Sequence, residues 1–275
     1  MPPHTEDVLM HSTPPRRRLA IATPFALIAV IAITVAAPIA TGASTSSAES
    51  SVIGWINAAR SARGLVPLRI DAKLASISGT RASRMAARNV MSHSVGGNLT
   101  SQLNSYNVRW YRYGETIGWS TASWPSSSAK AIFNAWMHSP PHRALLLSNR
   151  FNYVGVGLAS RDSGRKTFGS AVFAETTDHT RPVARVTSTR RSGDDVRWTW
   201  AGYDPRLQTH TAGLAHFDVA YRFGSRPWTI LRNNTRQTSL TLTNRPGGTY
   251  SVKVRATDRR GNVGAWSGES RIRVP

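Results

Sequence analysis

Two histidines four positions apart are the first side chains whose types and spacing could do chemistry. His138-Ser139-Pro140-Pro141-His142 has the spacing of the zinc-binding His-Glu-x-x-His element. The glutamate that would serve as base is missing. Pro140 and Pro141 break the helix between the imidazoles, so they cannot stack one turn apart. The spacing therefore argues against a metalloprotease of that type, and His138 is expected to face solvent. Ser92 precedes His93, but adjacency in sequence does not place a hydroxyl on an imidazole. No Gly-x-Ser-x-Gly turn offers a serine nucleophile. The chain has no cysteine, which excludes a thiol nucleophile, a thiolate zinc site, a disulfide scaffold and a lipidated N-terminal cysteine. Trp110, Tyr111, Tyr113, Trp119 and Trp124 could line a groove for sugar rings or lipid. Core and rim packing is the alternative for the same residues.

The elements that must position such groups start after an N-terminal export segment. Arg16, Arg17 and Arg18 precede an uncharged run from Leu19 to Ala40, interrupted by Pro24 and Pro38. A run of that length as a helix, at about 1.5 Å per residue, would span a hydrocarbon core of about 30 Å. Thr41-Gly42-Ala43 before Ser44 meets the small-residue requirement for signal cleavage. Residues 1–43 are expected to be a signal peptide or a retained signal anchor. The arginines stay on the cytoplasmic side in either case, which places the rest of the chain outside the membrane. Residues 44–50, small and polar, read as a linker.

Helical spacing follows. Val52, Ile53, Ile56 and Ala59 share a face, and Gly64 stops the helix. Pro67 to Ile70 is a short extended crossing. Asp71 caps a helix that runs to about Asn89, with Leu74, Ile77, Ala82, Met85 and Ala86 inward. Gly96-Gly97 opens a loop. Ser126 to Met137 is helical, with Ala129, Ile132, Phe133 and Trp136 facing in. Ser139 then reads as an N-cap, followed by proline in the first turn. Two alternating segments, Phe151 to Ala159 and Thr167 to Ala174, flank Asp162-Ser163-Gly164 and read as a hairpin. Helices ahead of a hairpin indicate an α+β or layered domain.

This part resembles the CAP superfamily, the SCP domain of cysteine-rich secretory, antigen 5 and pathogenesis-related proteins, in its short bacterial form. The residues that carry the resemblance are Ile56-Asn57-Ala58-Ala59-Arg60, Met91-Ser92-His93-Ser94, Gly114-Glu115, Trp136 through Arg143, and Val154-Gly155-Val156-Gly157. It implies an α-β-α sandwich over residues 51–180. It also implies a cleft at His93, Glu115 and His142. The family's second acid falls at Ser139 and its usual asparagine at Thr116, so both are expected to border the cleft. Two imidazoles and a carboxylate could hold Zn²⁺ with an open position, His93 and His142 being the metal ligands. A carboxylate beside a histidine could also serve proton donation. A hydrogen-bonded structural cluster is the third option.

Arg181-Pro182 marks a boundary. Short alternating segments follow, Val196 to Trp200, Phe217 to Phe223, Ser239 to Leu242, Tyr250 to Ala256 and Arg271 to Val274. They imply an all-β, immunoglobulin-like sandwich over 181–275. Arg245 through Ala256 resembles a fibronectin type III domain, in which Tyr250 would begin a strand and close a corner with its hydroxyl. Trp198 or Trp200 is expected in the core. His210 and His216 stand isolated.

Charge bears on partners. The net charge is +21, and only four of the 35 basic residues are lysine. Residues 51–180 carry 15 basic and 5 acidic side chains, and residues 181–275 carry 17 and 6. So even a spread fits attraction to a cell-wall polysaccharide or other polyanion better than specific nucleic-acid binding. The expected protein is exported and bacterial. It is secreted or anchored outside the cytoplasmic membrane, which it touches only through an uncleaved N-terminus. Its His/Glu cleft would bind a small ligand, lipid or divalent metal, and its second domain would display or tether it. It reads as a binding protein rather than an enzyme. The alternatives are a metal-dependent or acid-base hydrolase of peptide, ester or wall polymer, and an adhesin driven by charge.

Overall fold

The computed structural model of the chain describes residues 9–12 and 47–275. It divides into two units, with the boundary between Thr176 and Thr177. The export segment expected at 1–43 lies outside the described residues except for β1 (Leu9–Ser12), which pairs antiparallel with part of β3 (Trp110–Ser120). Among the described residues no helix is long and apolar enough to cross a membrane.

The first unit layers helices on both faces of a five-stranded sheet. Helix α1 (Ser47–Ser61) begins inside the stretch expected to be linker. Ala48 is buried, Ser51 Oγ donates to the Ser47 carbonyl, and the Glu49 carboxylate accepts from Leu158 N at 2.9 Å. Residues 47–50 therefore belong to the folded unit. The apolar face of α1 also ends differently from expectation. Ala59 is half-buried, and the fully buried position is Arg60. Its guanidinium donates to the carbonyls of Val66, Leu146 and Ser148, and burial lowers its pKa to about 10. Asn57 both donates to and accepts from the backbone of Leu68. The Asn57–Arg60 motif is thus a pair of structural clamps.

Helix α2 (Ala72–Arg88) is capped as expected, Asp71 Oδ1 accepting from Leu74 N at 2.8 Å, and it ends on Asn89 in the left-handed region. A seven-residue helix, α3 (Leu99–Ser105), occupies what read as loop; Asn98 caps it. It is too short to show a period. Helices α4 (Ser126–His138) and α5 (Pro140–Leu146) follow, and then the hairpin of β4 (Tyr153–Arg161) and β5 (Lys166–Thr176). The sheet order is β1-β3-β5-β4-β2, with β2 (Arg69–Ile70) parallel to β4 and the rest antiparallel. Val154, Val156, Ala171 and Phe173 pack with α1, α4 and α5 in one cluster. Ile117 and Phe168 pack with Met85 and Ala86 of α2 on the other face.

The second unit is a seven-stranded all-β sandwich. One sheet is ordered β10-β7-β6 and the other β12-β11-β8-β9. The strands are β6 (Val183–Ser192), β7 (Asp195–Tyr203), β8 (Leu214–Phe223), β9 (Thr229–Thr235), β10 (Ser239–Leu242), β11 (Gly248–Asp258) and β12 (Ser270–Val274). The alternation did not single out β6 and β9, because most of their side chains are polar and exposed. The unit starts at Thr177 rather than Arg181. Asp178 accepts from Thr180 N and Ala212 N, which ties those residues into this unit. Trp198 and Trp200 are both buried in its core.

Tyr250 Oη donates to the Pro246 carbonyl at 2.6 Å, closing the expected corner. Tyr250→Phe removes that bond without opening a cavity. A loss of about 1 kcal/mol in the stability of this unit is expected in denaturant melts. An unchanged midpoint would mean that the corner bond contributes nothing.

Candidate functional site

Strand β3 carries Glu115 and Thr116 side by side, so the pleat sends them to opposite faces. Ile117 packs against α2. A Cβ added to Gly118 would instead meet Trp136 of α4 at 2.8 Å. Glu115 therefore faces α2 and Thr116 faces α4.

On the α2 face Glu115 is almost wholly buried and makes four hydrogen bonds. Oε1 accepts from Arg81 Nε (2.5 Å) and Ser170 Oγ (2.8 Å); Oε2 accepts from Arg81 Nη2 (2.7 Å) and His93 Nδ1 (2.7 Å). Arg81 is itself buried. It donates further to the carbonyls of His93 (2.6 Å) and Gly97 (2.8 Å) and to Gln102 Oε1 (2.9 Å). One guanidinium thus fixes the carboxylate and the backbone of the loop that presents His93. Gly96 lets that loop lie across the guanidinium, since a Cβ there would come within 2.6 Å of Arg81 Cζ. Burial pushes the Glu115 pKa up, but the hydrogen bonds from His93 and Arg81 outweigh burial and hold it below the ordinary value.

An ionised carboxylate can only accept, so His93 Nδ1 carries the proton of that bond. The neutral tautomer that fits leaves a lone pair on Nε2. His93 Nε2 is buried and makes no hydrogen bond. The arrangement is a carboxylate-oriented imidazole with its second nitrogen available. Ser92 Oγ pairs with Ser94 Oγ at 2.8 Å.

His142 is buried on α5, whose Leu145 and Leu146 join the core with α1 and α4. Ser139 occupies the N-cap position of α5, but its Oγ makes no capping bond and is buried without a hydrogen bond. The Oγ1 of Thr116, a fully buried residue, is in the same condition. His138 is exposed, as expected. The structure therefore joins His93 to Glu115 directly. Among the described residues, His93, Glu115 and His142 do not form a trio whose ligating atoms lie within 4.8 Å of one another. The trio that does is Asp178, Asp204 and Asp258 of the second unit. Burial, helped by the neighbouring Asp178 and Asp258 charges, raises the Asp204 pKa.

Arg81, Ser170 and Gln102 escaped the sequence reading. Arg81 did leave a signal. It interrupts the apolar stripe of α2 between Leu74, Ile77 and Met85, where a charge is tolerated only if it is paired. Ser170 left none.

Residues 53–173 match the sequence profile of the CAP, or cysteine-rich secretory protein, family. The uncharacterized protein YkwD of Bacillus subtilis is 28% identical over 122 residues, 44% of this chain and 46% of that protein. An extracellular SCP-domain protein of Bacillus anthracis is 24% identical, covering 47% of this chain and 40% of its own, with a TM-score of 0.40. The chain thus spans less than half the length of either relative. A human fibronectin type III domain is 17% identical, covering 37% of this chain and 89% of its own, with a TM-score of 0.26. The layered fold, the His93–Glu115 pair and the profile match thus agree over residues 53–173 of the first unit, and the second unit is an all-β sandwich.

Proposed function

We propose that this is an exported bacterial protein whose CAP unit binds a small ligand or divalent metal through His93, and whose second unit tethers it to the envelope. The observation that carries the reading is His93 Nε2, a buried nitrogen without a hydrogen bond on a ring locked by Glu115 and Arg81. The bacterial likenesses, one of them described as extracellular, support the export half. Binding fits the site better than hydrolysis. Both Glu115 oxygens are engaged, so it offers no free base, and among the described residues no serine hydroxyl is hydrogen-bonded to His93.

The chemistry of the donor set tests whether zinc fits. Neutral imidazoles suit Zn²⁺, whereas Glu115 is saturated and would orient His93 rather than ligate. His93 and His142 would hold the ion, whereas Thr116 lies on the other face of β3 and takes no part. Bound Zn²⁺ would supply Lewis acidity at its open positions. The chain's own contribution is to fix the His93 tautomer and shield it from water.

Zinc titration by calorimetry checks this. One-site binding is expected, lost in His93→Ala and weakened at least about tenfold in His142→Ala and Glu115→Gln. Zinc binding indifferent to His93→Ala would sink the metal version. If zinc does not bind at all, lipid binding that is lost in His93→Ala remains the expected result for the same nitrogen.

A further inference from the structure

The second unit carries a cavity that the CAP site does not involve. It has a volume of about 700 Å³ and opens where β7 and β8, from different sheets, face each other. That is within the range of small-molecule sites. Trp200, Ala201, Gly202, Leu214, Ala215 and Phe217 form its walls, and Arg236, Thr238 and Arg259 its rim. Gly202 is required for the wall. A Cβ there would meet Phe217 Cε1 at 2.6 Å and the Val183 carbonyl at 2.8 Å.

Three donors surround this space without acceptors of their own. Trp200 is almost wholly buried, yet its Nε1–H has no hydrogen-bond partner. A buried unmade donor of this kind is destabilising unless something supplies an acceptor. Arg236 and Arg259 are exposed, and neither guanidinium takes part in an ion pair or hydrogen bond among the described residues. The Asp258 carboxylate beside Arg259 is held by the backbone of Arg260 and Asn262, with its second oxygen on the Asn262 amide. Backbone pairing fixes both sides of the opening, Arg259 N to the Gly213 carbonyl and Trp200 N to the Thr238 carbonyl. Two cations on the rim, an apolar floor and an indole donor define one ligand chemistry.

We propose that this cavity binds a monomeric amphiphilic carboxylate, a ligand with an anionic head and an apolar body. Its head pairs with Arg236 and Arg259. Its body lies against Phe217, Leu214 and Ala215, and an acceptor atom satisfies the Trp200 indole. The site is independent of His93.

Calorimetric titration of the full chain with octanoate tests the proposal, with 1-octanol as the uncharged partner of equal chain length. Saturable one-site binding of octanoate is expected, at least about tenfold tighter than that of octanol. Arg236→Gln and Arg259→Gln are expected to weaken it about tenfold each. Their exposure makes misfolding an unsuitable explanation, and melting temperatures check this. Trp200→Phe keeps the ring against Phe217 and removes the N–H, with a several-fold loss expected. Ala215→Phe fills the cavity and should abolish binding. Equal affinity for octanol, indifference to both arginine variants, or no saturable binding at millimolar octanoate would overturn the proposal. So would attachment to phosphatidylglycerol vesicles without any binding of free octanoate, because anion recognition would then belong to a surface rather than to this cavity.

Discussion

Glu115→Gln is expected to lower the stability of the first unit by about 3–5 kcal/mol, the cost of breaking a buried ion pair on one side. The amide keeps the shape of the carboxylate but removes its charge, and one of its two polar atoms becomes a donor. Arg81 and Glu115 are both almost wholly buried, so neither finds water as a replacement partner. Arg81 keeps its bonds to His93, Gly97 and Gln102, but its charge stands unpaired. Thermal melts should fall by something on the order of 10 °C. Ser170→Ala removes one neutral donor from the same carboxylate and is expected to cost only about 1 kcal/mol. Near-equal losses in the two variants would show that the ion pair has no special weight.

The same carboxylate sets an acid limit on the fold. Its native pKa lies below the ordinary 4.5, because the bonds from His93 and Arg81 outweigh burial. For an acid whose pKa is depressed by folding, the stabilisation is fully present above the unfolded value. It is lost as pH falls through the native one. Wild-type stability should therefore decline as pH drops below about 4.5, and Glu115→Gln should flatten that part of the curve. An unchanged pH profile in the variant would mean that other carboxylates govern the acid transition.

Gly155→Ala and Gly157→Ala are expected to be comparably severe, about 3–5 kcal/mol each, at or beyond the upper range of overpacking. A Cβ on Gly155 would come within 2.0 Å of the Leu74 carbonyl carbon and 2.1 Å of Ala75 N. On Gly157 it would come within 2.2 Å of Gly79 N. These contacts are helix backbone, which cannot rotate away as a side-chain end can. The strand or α2 must move, and α2 carries Arg81. Zinc or ligand binding at His93 should therefore weaken along with stability. Gly54→Ala is the contrast, on an exposed face of α1 with nothing within 4 Å. It is expected to be stabilising by about 0.5–1 kcal/mol. If Gly155→Ala melts like Gly54→Ala, the close seating of α2 on β4 is wrong.

The spacing of Val154-Gly155-Val156-Gly157 could be read as a strand in advance, and its two faces now have separate reasons. The valines fill the core under α1 and α4, and the glycines admit the α2 backbone. Ser78 Oγ donates to the Gly155 carbonyl at 2.9 Å, which secures the approach. Alternation shows that one face is apolar. It cannot show that the other face must be bare, because that depends on how near a helix 80 positions upstream comes to lie.

What the chain's own order of residues determined is its local structure and its kinship. The apolar period and the Asp71 cap are sufficient to place α2. The inward Ala129, Ile132, Phe133 and Trp136 place α4, and the turn at Asp162-Ser163-Gly164 places the hairpin. These signals are legible because they depend on neighbours three or four positions away, or on alternation of two. Tyr250 and the two core tryptophans were legible for the same reason. The site was legible only in part. His93 and Glu115 are brought together as a pair, but the residue that holds both is Arg81, and His142 is buried on α5. Only the tertiary structure decided that Glu115 is saturated by bonds from α2, β5 and the His93 loop, and so orients an imidazole instead of offering itself. It likewise decided that the facing strands β7 and β8 leave a cavity lined by Trp200 and Phe217. The physical reason is common to both. Whether a charge is paired, or a donor left without an acceptor, is settled by contacts between residues tens of positions apart, and those contacts exist only once the layers have packed.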